Sequence, residues 1–236
     1  MKNGKIFGSI ANITWYTSNG IDIMRSKPGR GSVKQTEATK KNSSHFGKAA
    51  KMVSKLLNGL ANELNFRMLP ANRGKTIGAV SKWLPEAEKL TTSAFYSFPS
   101  LIELNDLATL EQMAKIPTEV SLDKDHTITV SFGAFKTISA IKAPKNTGSI
   151  VLKAVLVELS TIEDTLEALV YSVSLEIPYN NDEEVAAQNI SFPDQPIAGI
   201  HFLVCLVVSF KGKSIPGMDK ERKWLPAGVL GIGKIV

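Results

Sequence analysis

The chain has 236 residues, 43% hydrophobic and 21% charged, with a formal net charge of +6. This is the balance of an ordinary globular protein, long enough to bury a real core as one or two domains. No apolar run reaches the ~20 residues needed to span a bilayer, and the single cysteine, Cys205, excludes an internal disulfide and a CxxC redox or zinc motif.

The charge is unevenly placed. Residues 1–75 hold fourteen Lys/Arg against three acids, Asp22, Glu37 and Glu63, a net of +11. Residues 76–236 hold fourteen against nineteen, a net of −5. Such a split fits a polyanion such as nucleic acid on the basic part, or the basic front of one copy docking on the acidic body of another. It also fits a solvated basic surface with no specific partner. Met1-Lys-Asn-Gly-Lys is not followed by a continuous apolar stretch, because Ser9, Asn12, Thr14, Ser18 and Asn19 interrupt it. No secretory signal is therefore expected. Folding in the cytoplasm is, with a virion or an extracellular assembly as a later destination.

Residues 5–27 read as a β-hairpin. Ile6, Ile10, Ile13 and Trp15 favour extended chain, and Ser18-Asn19-Gly20 supplies the turn, because Asn-Gly tolerates positive φ at both central positions. Pro28-Gly29-Arg30-Gly31 ends the return strand. A lone hairpin is marginal in water, so this one must pack on something.

A long helix is predicted from Lys34 to Leu64. With Phe46 as origin and ~100° per residue, Ala50, Val53, Leu57, Leu60 and Leu64 fall on its face, while Lys41, Lys48, Lys51 and Lys55 fall opposite. Arg25, Lys27, Arg30 and Lys34 lie just upstream. These eight residues are the candidate contact for a polyanion or a neighbouring subunit. Lysines grip phosphates without reading sequence, and few aromatic residues lie near the stripe, which disfavours a stacking platform for single strands.

Gly20-Ile-Asp-Ile-Met-Arg-Ser-Lys-Pro28, Lys34-Gln-Thr-Glu-Ala-Thr39 and Phe46-Gly-Lys-Ala49 together resemble the N-terminal signature of a Bacteroidota family of small proteins of unknown function. The resemblance covers about the first 85 residues. It implies a glycine-rich hairpin, an Arg-Ser-x-Pro exit, a helix and a β-rich C-terminal half. It supplies no catalytic residue.

A second helix is predicted from Ala71 to Leu84, between Pro70 at its start and Pro85 as its stop. Ile77, Val80 and Leu84 share a face, while Gly74 and Gly78 are read as weakening the helix rather than as a close-approach surface. Thr91-Thr-Ser93 and Phe98-Pro-Ser100 read as loop, and Leu107–Ala114 as a short helix. Strands are then expected at Glu119–Leu122, Thr127–Phe132, Ser149–Leu159, Glu167–Ile177, Ile197–Phe210 and Gly228–Val236. Ile128, Val130 and Phe132 should point inward. Val151–Leu156 and Phe202–Val208 are apolar on both faces and so central.

No Walker loop, dinucleotide fingerprint, HExxH or GxSxG occurs. His45, His126 and His201 lie far apart in sequence and in setting. Asp123-Lys-Asp-His126 reads as a hairpin turn rather than a metal loop, Glu176 as a solvated side chain, and Cys205 as a small buried hydrophobe. Glu163, Asp164 and Glu167 are close together without marking a catalytic pair. No cofactor, metal or small-molecule ligand is expected.

The fold class expected is α+β, with an N-terminal β-hairpin and two helices over residues 1–85, then an antiparallel β-sandwich over 86–236. The function expected is that of a non-enzymatic structural subunit of a homo-oligomer, a filament or phage-like particle, whose basic N-terminal segment contacts neighbouring subunits. The alternative is sequence-nonspecific nucleic-acid binding through the lysine stripe. A third reading, an enzyme or carbohydrate-binding module, would require a concave, aromatic-lined pocket.

Overall fold

The computed structural model describes residues 8–10, 13–18, 21–26, 36–64, 70–159, 169–179, 183–192, 201–212 and 222–236. The Asn19-Gly20 turn, the exit at 27–31, the helix connection at 65–69 and the acids at 163–167 lie outside them. The chain combines helices with antiparallel sheets and divides into two compact units, Met1–Ser44 and His45–Val236. The division falls within the first helix. The reason is burial: most of that helix shares a core with the β-rich part.

In the first unit, β1 (Gly8–Ile10), β2 (Ile13–Ser18) and β3 (Ile21–Ser26) form a three-stranded antiparallel sheet. The expected hairpin had two strands; β1 adds a third, pairing Gly8 with Trp15 and Ile10 with Ile13. Helix α1 (Glu37–Leu64) starts at Thr36, whose hydroxyl accepts a hydrogen bond from the Thr39 amide at 3.1 Å.

The second unit continues α1 and adds α2 (Pro70–Ala87), β4 (Ala94–Glu103), α3 (Leu110–Met113), β5 (Thr118–Leu122), β6 (Ile128–Phe132), β7 (Phe135–Lys136) and α4 (Thr137–Ala140). There follow β8 (Thr147–Leu159), β9 (Val170–Pro178), β10 (Glu184–Val185), β11 (Gln188–Ser191), β12 (His201–Gly212) and β13 (Ala227–Lys234). The main sheet has the order β4-β13-β12-β8-β9, all antiparallel. A second sheet has the order β11-β6-β5, and β10 pairs with β7.

Two cores flank the main sheet. Phe202, Val204, Leu206, Val208 and Phe210 of β12 join Ile128, Val130 and Phe132 of β6 in one. Leu203, Cys205 and Val207 join the helices in the other. The unbroken apolar run of β12 thus follows from burial on both faces.

The inward face of α1 is rotated from the expected one. His45, Ala49, Met52, Val53, Leu56 and Leu60 are buried, while Phe46 is 54% exposed. The buried stripe is centred about 70° from Phe46 at ~100° per residue. Its partner is α2, where Ile77, Val80, Trp83, Leu84 and Ala87 are buried. Pro85 does not stop α2 at Leu84. The helix runs to Ala87, and the Glu88 amide still donates to the Leu84 carbonyl at 2.9 Å. Pro85 removes one hydrogen bond of the last turn without ending the helix there. A Cβ at Gly74 or Gly78 would meet nothing within 4 Å, so neither glycine serves a close approach.

Phe98-Pro-Ser100, expected as loop, lies within β4. Its pairing with β13 shifts register between Val229 and Gly231, opposite the Phe98-Pro-Ser100 segment. The loop-forming residues are thus absorbed as an irregularity inside a strand.

Candidate functional site

The candidate basic residues fall in both units. Arg25, on β3, is exposed, with its guanidinium carbon 5.6 Å from the centre of the Tyr16 ring. Lys41 is exposed in the first part of α1. Lys27, Arg30 and Lys34 lie outside the described residues. Lys48, Lys51 and Lys55 occupy successive turns of α1 in the second unit. Lys51 is exposed and Lys55 half-buried. Lys48 is engaged within its own unit, its Nζ 3.0 Å from Glu88 Oε1. The stripe is therefore partly neutralised by the chain itself.

Glu88 organises the C-terminal end of α2. Its second oxygen, Oε2, lies 3.2 Å from His45 Nε2. The hydrogen bond from Lys48 holds the Glu88 carboxyl below the usual range, against the opposing effect of burial. This pairing gives the buried His45 a polar partner on the inward face of α1. His201, at the start of β12, is buried beside the same group, its ring edge-on to Trp83 at 5.5 Å. Burial, then the charge of Lys234, lowers its pKa to about 4. Its Nδ1 has no hydrogen-bond partner among the described residues. Lys234 Nζ donates to the carbonyls of Ala87 at 3.2 Å and Leu90 at 3.3 Å, a cation at a helix C-terminus.

His45 and His201 thus share one setting, contrary to the expectation that the histidines lie in separate ones. His126 stands apart, its Nε2 3.1 Å from Ser93 Oγ. Sequence alone could not find Glu88, since it lies 43 residues from His45 and past the end of its helix.

Two further acids, Asp123 and Glu176, are engaged locally. Asp123 Oδ1 accepts from the amides of Asp125 at 2.9 Å and Thr127 at 2.8 Å, which makes the β5–β6 segment a side-chain-stabilised turn. Exposed Glu176 accepts from Ser149 Oγ at 2.6 Å and Lys211 Nζ at 2.5 Å. Cys205 is fully buried, and burial pushes its thiol pKa far up, so it is inert packing.

A groove of about 790 Å³ runs between α2 and β4. Trp83, Phe95, Tyr96 and Phe98 give it aromatic walls, and Lys75 and Lys82 also line it. Tyr96 and Phe98 meet edge to face at 6.2 Å. Phe95 stacks on Phe202 at 6.0 Å, which ties this wall to the core. Two carboxylates border the groove. Glu103 accepts from the amides of Leu110 at 2.8 Å and Glu111 at 3.0 Å, and burial raises its pKa. Glu86 pairs with Lys89 at 2.9 Å.

No helix among the described residues is long and apolar enough to cross a membrane. No family model matches the chain, and no curated protein or solved structure matches it.

Proposed function

We propose that the protein is a non-enzymatic structural subunit of a homo-oligomeric assembly, a filament or phage-like particle, in which the N-terminal basic sheet of one copy packs on another. One observation carries this reading. Strands β2 and β3 carry apolar side chains on both faces, and none of their residues of described exposure is buried. Trp15 stands opposite Met24 on one face, and Tyr16 opposite Ile23 on the other. Ile21 is 67% and Met24 64% exposed. Apolar side chains exposed on a small sheet suit a surface that a partner covers. The charge split, +11 over residues 1–75 against −5 beyond, supplies the attraction between copies.

In the same reading, the five- and three-stranded sheets that share a core are the two layers of a β-sandwich, and residues 1–85 belong with the Bacteroidota family they resemble.

The test is size-exclusion chromatography with light scattering on the full chain, at low and high salt, with and without nuclease. A large species that survives nuclease is expected, and Ile21→Glu with Met24→Glu should dissociate it while leaving thermal unfolding of the subunit unchanged. A monomer under all conditions would overturn the proposal. A large species that collapses on nuclease treatment would overturn it in favour of nucleic-acid binding by the lysine stripe.

A further inference from the structure

We infer that the groove between α2 and β4 binds an amphiphilic carboxylate, a ligand with an elongated apolar body and one anionic head. The volume, about 790 Å³, is that of a small-molecule site. The walls are apolar: Trp83, Phe95, Tyr96 and Phe98, with Leu101 and Ile102 at one end. On the α2 side, Gly78 and Ala79 stand between Lys75 and Lys82. A Cβ at Gly78 would meet nothing within 4 Å, so the helix backbone is bare to the groove there.

The charges decide the class of ligand. Glu103 is taken up by the two amides at the start of α3, and Glu86 by Lys89. Among the described residues, Lys75 and Lys82 form no ion pair or hydrogen bond. Two ammonium groups of the lining are therefore open to an anionic head. The two ammonium groups are seven residues apart on one helix face, about 10 Å along the axis. An apolar chain along this floor would place its head at one of them. A neutral sugar is disfavoured, because the walls offer few polar groups to pair with its hydroxyls.

Isothermal titration of the full chain with decanoate tests this, with decan-1-ol as the uncharged counterpart. Decanoate should bind, and decan-1-ol about tenfold or more weakly, the scale of one lost charge-assisted contact. Lys75→Glu with Lys82→Glu should weaken decanoate binding by a similar factor. Gly78→Phe should abolish it by filling the floor, and Ala79→Trp serves the same purpose if that variant does not fold. Thermal unfolding of each variant checks its fold. Failure of decanoate to bind, equal binding of acid and alcohol, or undiminished binding by a folded groove-filling variant would each overturn the inference.

Discussion

His201 is kept neutral by its place between Trp83, α2 and Lys234. Its folded pKa of about 4 lies below the ordinary 6.5, so the unfolded chain binds the extra proton first. Stability contributed by the neutral ring is complete above pH 6.5 and is lost as the pH falls toward 4, in total about 3 kcal/mol. Glu88 acts in the same direction at lower pH, since its depressed pKa means that protonation breaks the contacts to Lys48 and His45. His201→Phe should therefore flatten the dependence of urea-unfolding free energy between pH 6.5 and 4.5, leaving the fall due to carboxylates below that. An unchanged profile would mean that His201 is not the titrating group. None of this was legible beforehand. The three histidines are isolated in the sequence, and what joins two of them is a glutamate one residue beyond a helix end.

At the scale of elements, periodicity carried much of the fold. The six strands expected between residues 119 and 236 are present, with ends shifted by a few residues, because alternating or wholly apolar runs are bounded there by turn residues. The helix at 37–64 was equally legible, but its phase was not. Phe46 has the hydropathy of a core residue and lies outside, while His45 lies inside through its pairing with Glu88. Leu56→Ala should thus cost about 2–5 kcal/mol, as for a fully buried leucine, whereas Phe46→Ala should change stability by about 0.5 kcal/mol or less. Chemical denaturation of the two variants distinguishes the phases.

Glycines divide in the same way. A Cβ at Gly231 of β13 would collide with the Phe95 ring and the Tyr96 carbonyl, while one at Gly78 of α2 meets open space. Gly231→Ala is expected to destabilise by about 1–3 kcal/mol and Gly78→Ala to stabilise by about 0.5–1 kcal/mol. Paired thermal melts check both signs. β4 escaped notice because Pro99 and its neighbours are loop-formers, and only the pairing with β13 makes them strand.

At the scale of the molecule, composition and charge revealed a basic front and an acidic body but not the order of strands. The lysine stripe was legible from spacing, whereas its neutralisation at Lys48 depends on a residue brought in by α2. The groove was hidden for a related reason. One wall is a helix, the other a strand interrupted by loop-forming residues, and the two unengaged lysines on α2 become meaningful only once the aromatic wall faces them.

The position of β13 between β4 and β12 also bears on how the protein is made. Among the described residues β4 has β13 as its sole neighbour in the main sheet, and Glu103 pairs with Gly228 across most of the length of the second unit. On the ribosome, β4 emerges long before the strand that completes it. Its aromatic residues and open edge must then stay out of aggregates while β8, β9 and β12 form. Contacts of such sequence separation fold slowly. The aromatic wall is accordingly paired into the sheet only once β13 has been made.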